Sequence, residues 1–182
     1  LSSMHVLPGR YDAGRTRESP PMIDRAYALR LAAYNRWMNQ NLYACAARLT
    51  DEQRREDRGA FFKSLHGTFE HLVSTDTIWM DRFKLRQVGP MKPLALSFEA
   101  LRSRRAALDE EIIEWAGALE SDWLAGDFSY YSYAYAAHYS KPGWQLAAHL
   151  FNHQTHHRGQ ATTLLMQFGL DPGPTDLLVS PE

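Results

Sequence analysis

Apolar positions recur with helical spacing in four separate stretches of this chain. Between Ile23 and Leu49, the residues Tyr27, Leu31, Tyr34, Met38, Cys45 and Leu49 follow at steps of three, four or seven, laying one apolar stripe along a helix. Thr50, Asp51 and Glu52 read as a stop and a fresh start, and the charged linker up to Arg58 reads as exposed. A second stretch, Gly59 to Arg86, keeps the alternation through Phe61, Leu65, Thr68, Leu72, Thr75, Trp79 and Phe83, and Gly89, Pro90 and Pro93 close it. Ser97 is the expected N-cap of a third helix running through Leu101, Leu108, Ile112 and Trp115 to Leu119.

Residues 127–139 break this phase. The run is rich in tyrosine and follows a Gly126–Asp127 turn, which predicts a short hairpin or an aromatic loop. Ser140 and Pro142 then open a fourth helix that ends near Gly169, because proline fits a first turn where its missing N–H costs nothing. Four long amphipathic helices with one non-helical crossover predict an all-α four-helix bundle. Residues 22–182 form its single domain, and the polar, Pro-punctuated residues 1–21 form a flexible tail. Gly159 is expected to let a neighbouring helix approach closely.

Composition narrows the function classes. The chain has 182 residues, 45% of them hydrophobic, and a formal net charge of -1, which argues against nucleic acid or an anionic membrane as partner. Its one cysteine, Cys45, excludes an intrachain disulfide and a cysteine-based zinc cluster; it suits a reducing cytoplasm and a core position rather than a nucleophile. No apolar stretch is long enough to span a bilayer, and no signal-peptide core follows Arg10, Arg15 and Arg17.

The histidines carry the candidate chemistry. Of the eight, five fall between His138 and His157, and four of these lie on the fourth helix. At about 100° per residue, Leu150, His153, His157, Gln160, Leu164 and Phe168 all fall within roughly 40° of Leu146. His149 and His156 lie to the side. A lone inward histidine is ordinarily a core residue satisfied by a tyrosine or the backbone. Two at i and i+4 would each need a partner and would repel when protonated, whereas one divalent ion satisfies both. The fourth helix has no Asp or Glu between Lys141 and Gly169, and neither E-x-x-H nor H-E-x-x-H occurs, so a nitrogen-rich site favouring Zn or Ni is expected. A third ligand must come from another helix. His66 points away from the second stripe, as a surface residue would; His71 sits at its edge.

The segments YNRWMNQNL, TFEHLVSTDTIWMDRF, HLFNHQTHHRGQATTLL and GLDPGPTDLL, in this order from Tyr34 to Leu178, resemble the DinB family, of the DinB/YfiT-like metalloenzyme superfamily. The resemblance implies an up-down-down-up four-helix bundle, commonly a homodimer, with one divalent ion on three histidines. It makes His71 the first ligand, beside His153 and His157. It also implies a metal-dependent transferase or hydrolase that activates a low-molecular-weight thiol or water for a small-molecule substrate; no catalytic side chain is singled out. The alternative is a non-catalytic metal-binding or stress-response bundle, in which the ion is structural and His149 or His156 completes the shell. Tyr34, Asp76 and Gln160 are candidates to support the ligands or line the pocket, with Asp76 equally suited to a cap or the solvent face. Trp37 is a further pocket candidate, Arg158 reads as a surface ion-pairing residue or an anchor for an anionic substrate, and the tyrosines at 130–135 as a cover over the metal.

Overall fold

The computed structural model describes residues 22–181, so the tail expected at residues 1–21 lies outside the described residues. Six helices and one hairpin follow in order: α1 (Arg25–Ala46), α2 (Asp51–Arg55), α3 (Leu65–Phe83), α4 (Phe98–Gly117), α5 (Ser121–Ala125), β1 (Asp127–Ser132), β2 (Ala137–Pro142) and α6 (Gly143–Gln167). The chain is therefore predominantly helical with a small two-stranded sheet, not purely α. Of the long helices, α1 packs on α4 and α6, and α3 packs on the same two, so the four close a ring around one core. Among the described residues, no helix is long and apolar enough to cross a membrane.

Side-chain caps set the helix starts. Asp24 accepts the Tyr27 N–H at the head of α1, Ser64 accepts that of Gly67, and Ser97 accepts that of Ala100, as its position predicted. Within the charged linker, Thr50 and Gln53 cap each other reciprocally, which turns Asp51–Arg55 into the short helix α2.

The second helix begins later than its apolar spacing suggested. Gly59 and Lys63 take left-handed backbone angles, φ +76° and +65°, which no α-helix accommodates. Phe61 consequently stands outside the helix and is 82% exposed. The same turn brings the Phe62 carbonyl against α3 at Gly67, where any Cβ would collide with it.

The buried faces are also rotated. On α1 the buried residues are Ala28, Ala32, Asn35, Met38, Asn39, Leu42, Tyr43, Cys45 and Ala46; Met38 and Cys45 of the expected stripe are among them, while Tyr27 is exposed. On α6 the buried face centres on Leu150, Gln154 and Ala161 and reaches from Leu146, His157 and Leu164 at one edge to Phe151 and Arg158 at the other. It is thus centred roughly 60° from the Leu146–Leu164 line, which stays buried at its margin. In both helices polar side chains take core positions that an apolar pattern cannot mark. Gly159 is exposed with nothing within 4 Å of a Cβ, so it permits no close helix approach.

Between α5 and α6, the tyrosine-rich run forms an antiparallel hairpin in which Tyr130 pairs with Tyr139. Ser140 belongs to β2, and Pro142 stands at the N-cap of α6 rather than inside its first turn. Gly143 then admits Trp123 of α5, whose carbonyl and ring occupy the space of a Cβ. At the other end, Arg30 donates to the carbonyls of Leu177, Ser180 and Pro181, and the Tyr34 hydroxyl donates to that of Thr175, holding the C-terminal segment on α1.

A candidate metal centre at the α3–α6 seam

Where α3 meets α6, His71, His153 and His157 each present one ring nitrogen, and these nitrogens lie within 4.8 Å of one another. His153 and His157 are one turn apart on α6 and therefore point the same way. The Nε2 atoms of His71 and His153 face each other at 3.1 Å. Two imidazoles on a tetrahedral zinc, with bonds near 2.0 Å, stand about 3.3 Å apart. The three rings pack with centroids 4.4–5.1 Å apart.

Neighbours orient two of the rings. His157 Nδ1–H donates to Gln160 Oε1 at 2.8 Å, which leaves Nε2 as the free lone pair. The Gln160 amide N–H in turn reaches His156 Nε2 at 3.4 Å. Phe62 stacks on His71 with centroids 3.9 Å apart, and the Thr75 hydroxyl lies 3.5 Å from the same ring. His153 Nδ1 is buried without a hydrogen-bond partner. No acceptor therefore fixes its tautomer, and Nε2, which faces His71, is the atom that an ion would take.

Burial keeps these imidazoles unprotonated. It pushes His71 down to about 4, with nearby His157 adding to the effect. His153 is pushed down to about 3 by burial first and by His157 and His71 next. For His157 burial also wins, over a Gln160 contact that favours the protonated ring. A folded-state pKa below the usual 6.5 or so means the unfolded chain binds more protons, so metal-free stability falls as pH drops from about 6.5 toward 4 and 3. Metal binding should follow the same ordering. Three ordinary histidines lose about a thousandfold in affinity to proton competition between pH 7.5 and 5.5. Here the loss is expected to be about tenfold or less, since His157 alone is left to compete in that range. Zinc titration against a chelator at several pH values measures it.

The other candidates fall elsewhere. Asp76 is 0% exposed, neither a cap nor a solvent-facing residue, and it pairs with Arg105 Nη1 at 2.7 Å rather than with a histidine. Burial pushes its carboxyl up to about 6, against the attraction of Arg105. Tyr34 lies beneath the Arg158 guanidinium, with Trp37 tilted against it. Arg158 is itself buried and donates to Asn35, Gln154 and Thr155, so it is no surface residue. His66, expected at the surface, is 2% exposed because α3 starts at Leu65 and the phase counted from Phe61 does not hold. His149 and His156 are both exposed and belong to no three-ligand group with the triad. Phe62 had no sequence signal, since a residue in a turn carries no periodicity.

A cavity of about 420 Å³ opens beside the cluster. His71, His153 and His149 line it together with Tyr130, Tyr133 and Tyr135 of the hairpin.

A sequence model of the DinB family matches residues 22–182. The chain belongs to the DinB family. The protein named DinB from Bacillus subtilis (strain 168) is 24% identical over 159 residues, covering 82% of this chain and 91% of that protein. The crystal structure of a DinB-like protein from Bacillus cereus ATCC 10987 superposes with a TM-score of 0.57 at 20% identity, over 76% of this chain and 90% of that one. At that identity the likeness bears on the fold: this DinB-family chain shares the helical architecture of that structure.

Proposed function

We propose that this DinB-family protein holds one divalent ion, Zn or Ni, on His71, His153 and His157, and is a metal-dependent transferase or hydrolase acting on a thiol or water. The cavity bordered by His71 and His153 carries this reading: a purely structural ion has no need of a small-molecule space against its ligands. The donor set fits the ion, since three neutral imidazoles with matched spacing suit Zn or Ni better than Mg or Ca. Such an ion supplies Lewis acidity, lowering the pKa of a thiol or water that ligates it.

The chain's own residues do the rest. Gln160 fixes the tautomer of His157, Phe62 stacks on one face of His71, and the hairpin tyrosines supply an aromatic lining to the cavity. We infer the up-down-down-up bundle, the homodimer and the cytoplasmic setting from the family relationship and composition alone.

The test is thiol consumption. Zn-, Ni- and Mn-loaded protein is incubated with glutathione or cysteine and the electrophile monobromobimane, beside chelated protein and the His153→Ala variant. Metal-dependent thiol loss at least about tenfold above both controls is the expected result. Equal rates in every arm would remove the transferase reading and leave a non-catalytic metal site.

A further inference from the structure

The cavity that His71 and His153 line carries formal charge of one sign only. Its charged lining residues are Arg82 and Lys141, and no Asp or Glu borders it. Neither cation has a carboxylate within 4.0 Å among the described residues. In a chain of net charge -1 this is a local excess of positive charge.

Arg82 is held in place rather than free in solvent. Its guanidinium lies 4.6 Å from the ring centre of Trp79 and 4.7 Å from that of Tyr130. One Nη donates to the Tyr131 carbonyl at 3.2 Å, while Nε is buried and has no partner. A guanidinium with unused donors, fixed by two aromatic faces, is a preorganised anion anchor. The rest of the wall is apolar or aromatic, from Ile78, Trp79, Met91 and the hairpin tyrosines.

A second cavity of about 310 Å³ shares Arg82 and Tyr130, but it borders no histidine. Its other cation, Arg86, is already paired with Asp81 and Glu111. The histidine-facing cavity thus adds the unpaired Lys141 to Arg82, whereas the second cavity adds only an arginine that is already neutralised.

We propose that this cavity selects an organic anion: a small carboxylate on an aromatic or apolar body, its charged end on Arg82 and Lys141 and its body along the tyrosine wall toward His71 and His153. The proposal rests on reading the cavity as a substrate site, and it adds the class of molecule that site takes. Arg82 acts here as a binding residue for specificity, and needs no part in the chemical step.

Binding of 4-phenylbutyrate, its neutral amide and 4-phenylbutylamine to zinc-loaded full-length protein tests this by calorimetry, repeated on chelated protein. The carboxylate is expected to bind about tenfold or more tighter than the amide, with the amine weakest. Arg82→Met should weaken the carboxylate by about tenfold or more and the amide by less than twofold, and Lys141→Met should act in the same direction. The preference should persist, reduced, in chelated protein. Equal binding of the three ligands overturns the proposal, as does a carboxylate preference that Arg82→Met and Lys141→Met both leave intact. Should Arg82→Met fail to fold, Lys141→Met and the ranking of the three ligands still decide. An anion preference without thiol turnover leaves this inference standing and removes the transferase; turnover without the preference does the reverse.

Discussion

Replacing His153 by alanine is expected to abolish metal binding. Untagged wild-type protein purified with added Zn or Ni should contain about one ion per chain by elemental analysis, and His153→Ala essentially none. His153 meets both other ligands: its Nε2 stands 3.1 Å from that of His71, and its ring packs 4.4 Å from that of His157. Two imidazoles left on separate helices cannot enclose an ion as three can. The expected loss therefore exceeds the ten- to hundredfold typical of losing an outer supporting contact. The fold should survive, because His153 is half-buried at the seam and its Nδ1 holds nothing in place. Metal retained by His153→Ala, or absent from wild type after addition of both metals, would refute the three-histidine site.

Asp76→Ala should be the most damaging single change to stability. Asp76 on α3 pairs with Arg105 Nη1 at 2.7 Å, Arg105 Nη2 lies 2.8 Å from Asp109, and Asn39 of α1 donates to Asp109 at 2.9 Å. The four side chains are all buried, and the positive charge of Arg158 on α6 also favours the ionised forms of Asp76 and Asp109. Burial disfavours the charge on Arg105, but Asp109 and Asp76 more than offset it and hold the guanidinium cationic. Removing Asp76 strips one of these carboxylates from an arginine that is 2% exposed; breaking such a pair costs about 3–5 kcal/mol. That is a large share of the roughly 5–15 kcal/mol a domain possesses. Urea denaturation followed by circular dichroism measures it. The triple change Asp76→Leu, Arg105→Met and Asp109→Asn should recover most of the loss, because it leaves no buried charge uncompensated and keeps an acceptor for Asn39. A cost below about 1 kcal/mol for Asp76→Ala would mean that the network contributes little to the fold.

These two sites differ in how far they could be read in advance. The histidine pair on α6 follows from spacing alone, since i and i+4 share a helix face whatever surrounds them. His71 stood at the edge of its stripe and rested on the resemblance to the DinB family; the structure brings it to the other two. The charge network was invisible. Asp76 and Arg105 are 29 residues apart, and neither side chain alone marks a core position.

The four long helices, the Ser97 cap and the shared face of His153 and His157 were legible in the chain, because each depends on neighbours within a few residues, while the tyrosine run read as a hairpin or a loop and only the fold made it a hairpin. Tertiary structure decided which face of each helix lies inward. Asn35, Asn39, Asp76, Arg105, Gln154 and Arg158 are buried, five of them hydrogen-bonded or ion-paired across helices and Gln154 beneath Arg158 on its own helix. Hydrophobic periodicity assumes that the core is apolar, so polar side chains paired within it shift the buried faces of α1 and α6 off the centre of their apolar stripes. That rotation is what sets His153 at the border of a cavity rather than in the centre of the core.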